Sequence, residues 1–237
     1  MNTPTTRRTL LTGGLLLGAG SWLGTTACSA TDDPPPTTRE TSAEPTVTPE
    51  ATASAERRQG GAAPRVLLAY FSRAGENYYF GGRRNLEVGN TEVLAEMIAE
   101  LIDCDVHRIE AADPYPASYD ATVQRNVSEQ EADARPAIAN PLGSIAAYDT
   151  VLLGSPIWNI RAPMIMSSFT DAHDFTGRTI HPFVTYAVSG LGSVEDDYAT
   201  ACPGARIGPG LAVRGEEVAR HRADVEAWLR AARLPTR

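Results

Sequence analysis

The alternation of apolar and polar positions divides the chain into short buried runs and longer one-sided stretches. Arg65 to Phe71 and Thr150 to Gly154 are aliphatic and aromatic runs that stop abruptly in small and hydroxyl residues. Runs of this length, bounded by turn formers, read as strands covered on both faces. Asp105 to Glu110 sets Val106 and Ile109 among polar neighbours and predicts a second strand near an edge. Thr179 to Val188 predicts a fourth strand, and Ile207 to Val213 a weaker fifth. The stretches between them carry the helical period. Thr91 to Leu101 places Val93, Leu94, Met97, Ile98 and Leu101 on one side, with Asn90 as N-cap. Tyr119 to Ala134 reads as a polar helix ended by Pro136. Pro163 to Ala172 opens with proline at a first helical position and continues through Met164, Ile165, Met166 and Phe169. Glu216 to Ala232 reads as a closing amphipathic helix with Val218, Val225, Trp228 and Leu229 on one side. Five strands alternating with helices predict an α/β, doubly wound parallel sheet whose carboxyl edge forms a ligand crevice.

Residues 1–28 follow another logic. They contain no Asp or Glu, the pair Arg7 and Arg8, and an apolar run from Leu10 to Leu23 broken by four glycines. The run is short for a membrane span of ~20 apolar residues and fits an export signal. Thr6-Arg7-Arg8-Thr9-Leu10-Leu11 resembles the twin-arginine signal, an address for exporting folded proteins. Thr25-Thr26-Ala27-Cys28 resembles a lipoprotein cleavage box, which implies lipidation of Cys28, although Thr25 stands where that pattern prefers Leu. Residues 29–63 are rich in Pro, Thr, Ala and Glu, with almost no large apolar side chain. Such composition buries too little surface to offset ordering entropy, so a disordered tether is expected. The expectation is an exported protein of the cell envelope, attached through a lipid to the outer face of the cytoplasmic membrane, with residues 64–237 as one domain.

Charge narrows the partners. Residues 1–28 hold two of the 21 basic residues and none of the 29 acidic ones, leaving 19 against 29 in the exported part. That acidity argues against nucleic acid, which calls for a basic stripe. Cys104 and Cys202 fall near opposite edges of the predicted sheet, about four strand spacings of ~4.8 Å apart. A disulfide needs Cα atoms within ~7 Å, so both are read as unpaired, buried, structural thiols. His107, His173, His181 and His221 are scattered, and no spacing of Cys, His and carboxylates suggests a metal site.

Three polar loops fall at the carboxyl ends of the predicted strands. Ser72-Arg73-Ala74 and Gly89-Asn90-Thr91 lie between the first strand and its helix, split by an insertion from about Gly75 to Val88. Ser155-Pro156-Ile157-Trp158-Asn159 follows the third strand, and Ser189-Gly190-Leu191-Gly192-Ser193 the fourth. Together they resemble the flavodoxins, and in particular a long-loop bacterial flavodoxin-like type whose phosphate loop is interrupted by a Gly- and aromatic-containing stretch such as Asn77-Tyr78-Tyr79-Phe80-Gly81-Gly82. The resemblance implies the five-strand order 2-1-3-4-5 with flavin mononucleotide (FMN) at the switch point, an arrangement for which flavodoxin is the standard example. It implies that Ser72, Arg73, Ala74, Gly89, Asn90 and Thr91 surround the phosphate at a helix N-terminus, where free N–H donors and the dipole favour an anion. It further implies Ser155, Pro156, Ile157, Trp158 and Asn159 beside the ring, with the Trp158 indole stacked on it. Ser189, Gly190, Leu191 and Gly192 would offer backbone N–H groups to the ring edge. Arg83 and Arg84 are either further phosphate charges or solvated surface.

Three functions are compatible with these residues. One is an FMN electron carrier serving a redox partner protein or a small-molecule acceptor, with no residue required as acid or base. Another is an FMN-dependent NAD(P)H quinone- or nitro-reductase, in which the insertion forms a substrate wall. The last is an exported binding module that keeps the scaffold without the cofactor.

Overall fold

The computed structural model describes residues 65–237. The proposed signal, tether and Cys28 lie outside the described residues. The central sheet is built from β1 (Val66–Tyr70), β4 (Asp105–Arg108), β5 (Thr150–Pro156), β6 (Thr179–Tyr186), β7 (Arg206–Ile207) and β8 (Leu211–Arg214). Their order is β4-β1-β5-β6-β7, with β8 also on β6. Every pairing in it is parallel, and β1 lies between β4 and β5 with Val66 opposite Thr150 and Tyr70 opposite Gly154. Counting β7 and β8 together, this is the expected 2-1-3-4-5 sheet.

The period of two along β1 divides the core. Val66, Leu68 and Tyr70 face α1 (Asn90–Leu101) and the terminal α5 (Arg222–Ala231), meeting Leu94, Ile98, Val225 and Leu229. Leu67, Ala69 and Phe71 point the other way, into a cluster with Ile165, Phe169 and Val194 of α3 (Met164–Asp171) and α4 (Val194–Ala201). Both faces of the strand are therefore dry, as its unbroken apolar sequence requires. Each fully buried Leu contributes ~1.5–3 kcal/mol by leaving water. Cys202 is buried and Cys104 half-buried, both free, on opposite faces of the sheet. Burial pushes each thiol up to about 11.

Several elements differ from the sequence expectation. The fifth strand is two short segments, because Gly208-Pro209-Gly210 interrupts it and proline has no N–H for the ladder. The Pro209 carbonyl instead accepts the Trp228 indole N–H at 2.8 Å. The closing helix begins as a 3-10 turn, Gly215–Arg220, before α5. Pro163 is the N-cap of α3 rather than its first residue. Helix α4 was not anticipated, although Ser193 followed by Glu195, Asp196 and Asp197 is an N-terminal signature. Nor was the pairing of the insertion into an antiparallel hairpin, β2 (Gly75–Tyr79) and β3 (Gly82–Leu86). Its two-residue loop, Phe80-Gly81, has φ of 44° and 84°, the left-handed pair that tight hairpins need.

Candidate functional site

The carboxyl ends of β1, β5 and β6 open onto a cleft of about 340 Å³, a size common for small-molecule sites. One end is formed by the start of α1. Gly89 is the N-cap, and Asn90 is the first helical residue rather than the cap expected. Ser72 reaches across from the β1 loop, its Oγ accepting the Glu92 N–H at 3.1 Å. A Cβ on Gly89 would lie 2.3 Å from that Oγ and 2.6 Å from the Arg73 carbonyl oxygen, so only glycine allows this approach. Asn90 and Thr91, at the first turn, have N–H groups with no partner inside the helix. The Thr91 hydroxyl is buried and shares a 2.7 Å hydrogen bond with Thr185, which ties α1 to β6.

Arg73 gives this end its charge. Its guanidinium donates to the carbonyls of Pro116, Ala117 and Glu76, while its buried Nε has no partner among the described residues. Burial lowers its pKa and the Glu76 carboxylate opposes that shift, yet an arginine remains charged. Three carbonyl dipoles fix the group without a salt bridge, leaving a positive charge at the cleft. Arg83 and Arg84 are spent elsewhere. Arg83 makes a bidentate pair with Asp120 at 2.6 and 2.7 Å, and Arg84 lies over the Tyr79 ring at 5.0 Å. The first pair clamps the hairpin to α2 (Tyr119–Glu131). The hairpin tip is held by Phe80 N–H donating to Glu216 Oε1 at 3.1 Å, so β2 forms a wall through Asn77 and Tyr78.

Pro156, Ile157, Trp158 and Asn159 line the cleft from the end of β5 and the loop after it, and Thr185, Tyr186 and Ala187 from the end of β6. The Trp158 ring packs edge-on against Phe71 at 5.7 Å and Tyr115 at 5.1 Å. Tyr115 is itself fixed by donating to Glu129 at 2.7 Å, and burial raises its pKa so that the hydroxyl stays protonated. The indole is thus a braced wall rather than a free flap. Gln130 of α2 holds the same loop, donating to the Trp158 carbonyl at 3.2 Å and accepting from the Asn159 amide at 2.9 Å.

Not every expected residue reaches the cleft. Ser155 is fully buried behind it, and Ala74 lines a neighbouring hollow that shares Ser72 and Arg73 with the cleft. Ser189, Gly190, Leu191 and Gly192 lie outside its walls. Their loop is bonded instead to the loop after β5, with the Ile160 carbonyl accepting the Ser193 N–H at 2.8 Å. Gly192 is at φ 56°, and a Cβ there would sit 1.9 Å from that carbonyl oxygen. This contact also holds Ile160 at φ 64°, a strained setting for a β-branched residue. Conversely, α2 supplies Tyr119, Thr122, Val123, Asn126 and Val127, none of which was singled out in the sequence. The available signal was Val123 and Val127, one turn apart in an otherwise polar helix.

The flavodoxin family model matches residues 65–232. The chain belongs to the flavodoxin family. No curated protein matches it. Among solved structures, a protein assigned as a flavoprotein from Bacteroides uniformis ATCC 8492 is 30% identical, with 70% of this chain and 98% of that chain covered and a TM-score of 0.56. A second such protein, from Bacteroides eggerthii DSM 20697, is 25% identical over 72% of this chain and 99% of that chain, with a TM-score of 0.57. A flavoprotein from Lactobacillus acidophilus NCFM in complex with FMN is 16% identical over 67% and 98%, with a TM-score of 0.48.

Proposed function

We propose that this member of the flavodoxin family binds FMN in the cleft and carries electrons at the cell envelope. The observation behind the cofactor is that one cleft joins a helix N-terminus and a half-buried arginine at one end to an aromatic wall at the other. An anion suits the first end, and a flat, largely apolar ring the second. The phosphate would be held by the N–H groups of Asn90 and Thr91, the Ser72 hydroxyl and the Arg73 charge; the ring would lie beside Trp158 and Tyr186. When bound, FMN supplies one- and two-electron chemistry, and the protein supplies binding, orientation and exclusion of water. The visible absorption spectrum of the purified chain, followed by FMN titration, tests this. A colourless protein that does not quench added FMN would leave a cofactor-free binding module as the correct reading.

The envelope location rests on the sequence alone, through Arg7, Arg8, the apolar run, Cys28 and the proline-rich stretch after it. A twin-arginine route would let the chain leave folded with its cofactor loaded. Stable attachment needs more than one acyl chain, as a lipidated cysteine provides. Fractionation of Cys28→Ala against the unaltered chain decides it, because equal distribution between membrane and soluble fractions would rule out the lipid anchor.

The reductase reading draws on one observation, that Asn77 and Tyr78 of the hairpin form part of the cleft wall. NAD(P)H-dependent reduction of a quinone or nitro compound by the FMN-loaded protein, lost when the hairpin is shortened, would favour it over a carrier.

A further inference from the structure

Asn126 carries a buried polar atom that the described fold leaves unpaired. It sits in the middle of α2, is only 3% exposed, and its buried Oδ1 has no hydrogen-bond partner among the described residues. A buried polar group without a partner costs ~1–3 kcal/mol, so its persistence calls for a partner that the described residues do not provide. Asn126 lines the cleft together with Val123 and Val127, which both lie to one side of it around the helix axis. Those valines are 43% and 38% exposed, without the apolar neighbours a core position would have. Gln130, one turn further on, fixes this face against the Trp158 loop. The arrangement is an apolar strip with one amide beside it, at the ring end of the cleft.

We propose that Asn126 reads the polar edge of the flavin ring, an inference that rests on the FMN reading above. The pyrimidine edge of an isoalloxazine carries one N–H donor between two carbonyl acceptors. A carboxamide presents an acceptor and a donor side by side, so it pairs with that N–H and one adjacent carbonyl together. Either assignment of its oxygen and nitrogen presents both functions, and the pairing is therefore independent of how the amide is turned. Val123 and Val127, next to it on the helix, cover apolar ring surface. The site thus selects an imide edge, and an aromatic ring without the N–H donor leaves Asn126 unpaired.

The test compares the full chain with Asn126→Leu, which keeps the volume and removes both polar functions, using FMN and N3-methyl FMN as probes. The unaltered chain is expected to bind FMN at least ~10-fold more tightly than the methylated analogue, a typical cost of one unmade hydrogen bond in a buried site. Asn126→Leu should lose that discrimination, bind FMN ~10-fold or more weakly, and melt no lower than the unaltered chain when free of flavin. A chain that binds neither flavin overturns this proposal and the FMN reading together. Tight FMN binding by Asn126→Leu, with discrimination retained, overturns only the role of Asn126. A lower melting temperature with equal losses for both flavins would show instead that Asn126 supports the fold.

Discussion

After β1 the chain turns through Ser72-Arg73-Ala74 and, past the hairpin, reaches the start of α1; after β6 it turns through Ser189-Gly190-Leu191-Gly192 and reaches the start of α4. Both loops place small and hydroxyl residues at the carboxyl edge of the sheet, next to a helix N-terminus. At α1 the first turn holds one acidic residue, Glu92, and its carboxylate is drawn away by Arg108 at 2.5 Å. At α4 the first turn holds Glu195, Asp196 and Asp197. Asp197 accepts the Ser193 hydroxyl at 2.8 Å and pairs with Arg161 at 3.1 Å, and Glu195 accepts the Gly210 N–H at 3.0 Å, while Asp196 stays exposed. The positive end of α4 is therefore the more fully compensated, with three carboxylates in its first turn against one at α1, whose end has more charge left for an outside anion. What makes a helix end a binding site here is the charge left over, not the composition of the loop before it.

The largest effect should come from the glycines that set each loop. Gly192→Ala places a Cβ against the Ile160 carbonyl oxygen in a left-handed backbone, with an expected loss of ~2–4 kcal/mol of stability. Gly89 is at φ −70°, an ordinary value, so Gly89→Ala adds only the collision with Ser72 and Arg73. It should loosen FMN more than it lowers the melting temperature. Melting curves and FMN titrations of the two variants separate these outcomes. A Gly192→Ala protein with unchanged melting and weakened FMN would make the second loop a ligand loop after all.

Arg73→Met is next. It removes a charge held by carbonyls rather than by a carboxylate, so nothing in the chain is left unpaired as an ion. FMN affinity should fall by ~1.5–3 kcal/mol, the scale of a hydrogen bond to a charged group, with riboflavin affinity nearly unchanged. Equal losses for the two ligands would mean that Arg73 only braces the loop. Ser72→Ala follows, at ~1 kcal/mol of stability through the lost cap on Glu92, measured by chemical denaturation. An additional loss in FMN binding but not in riboflavin binding would show that the same hydroxyl also reaches the phosphate.

The sequence was a good guide wherever the physics is local. β1, β5 and β6 were legible because strands covered on both faces must be apolar throughout, and α1 because its apolar residues recur at helical spacing. The strand order and the Ser72, Asn90 and Trp158 ends of the cleft came with the family resemblance, and the structure brings them together. The contributions of α2 were illegible, since Asn126 is identified by lacking partners, which only the folded chain reveals. The loop after β6 was less legible, because Ser-Gly-Leu-Gly-Ser describes equally a loop facing a ligand and a loop packed on a neighbour. Its packing on Ile160 depends on a contact 33 positions away in the chain.

The smallest effect sharpens the comparison most directly. Asp196 is exposed in the first turn of α4, so Asp196→Asn removes one compensating charge and little packing. The expected loss is ~0.3–1 kcal/mol at low ionic strength, shrinking as salt screens the helix dipole. FMN affinity should not change, because the α4 end does not line the cleft. Denaturant midpoints at low and high salt measure the first expectation, and titration measures the second. If the variant instead gained affinity for FMN or inorganic phosphate, the acidic turn of α4 would be acting on the ligand from outside the cleft. The contrast between a less and a more fully compensated helix end would then have to be redrawn as a single electrostatic field over the whole sheet edge.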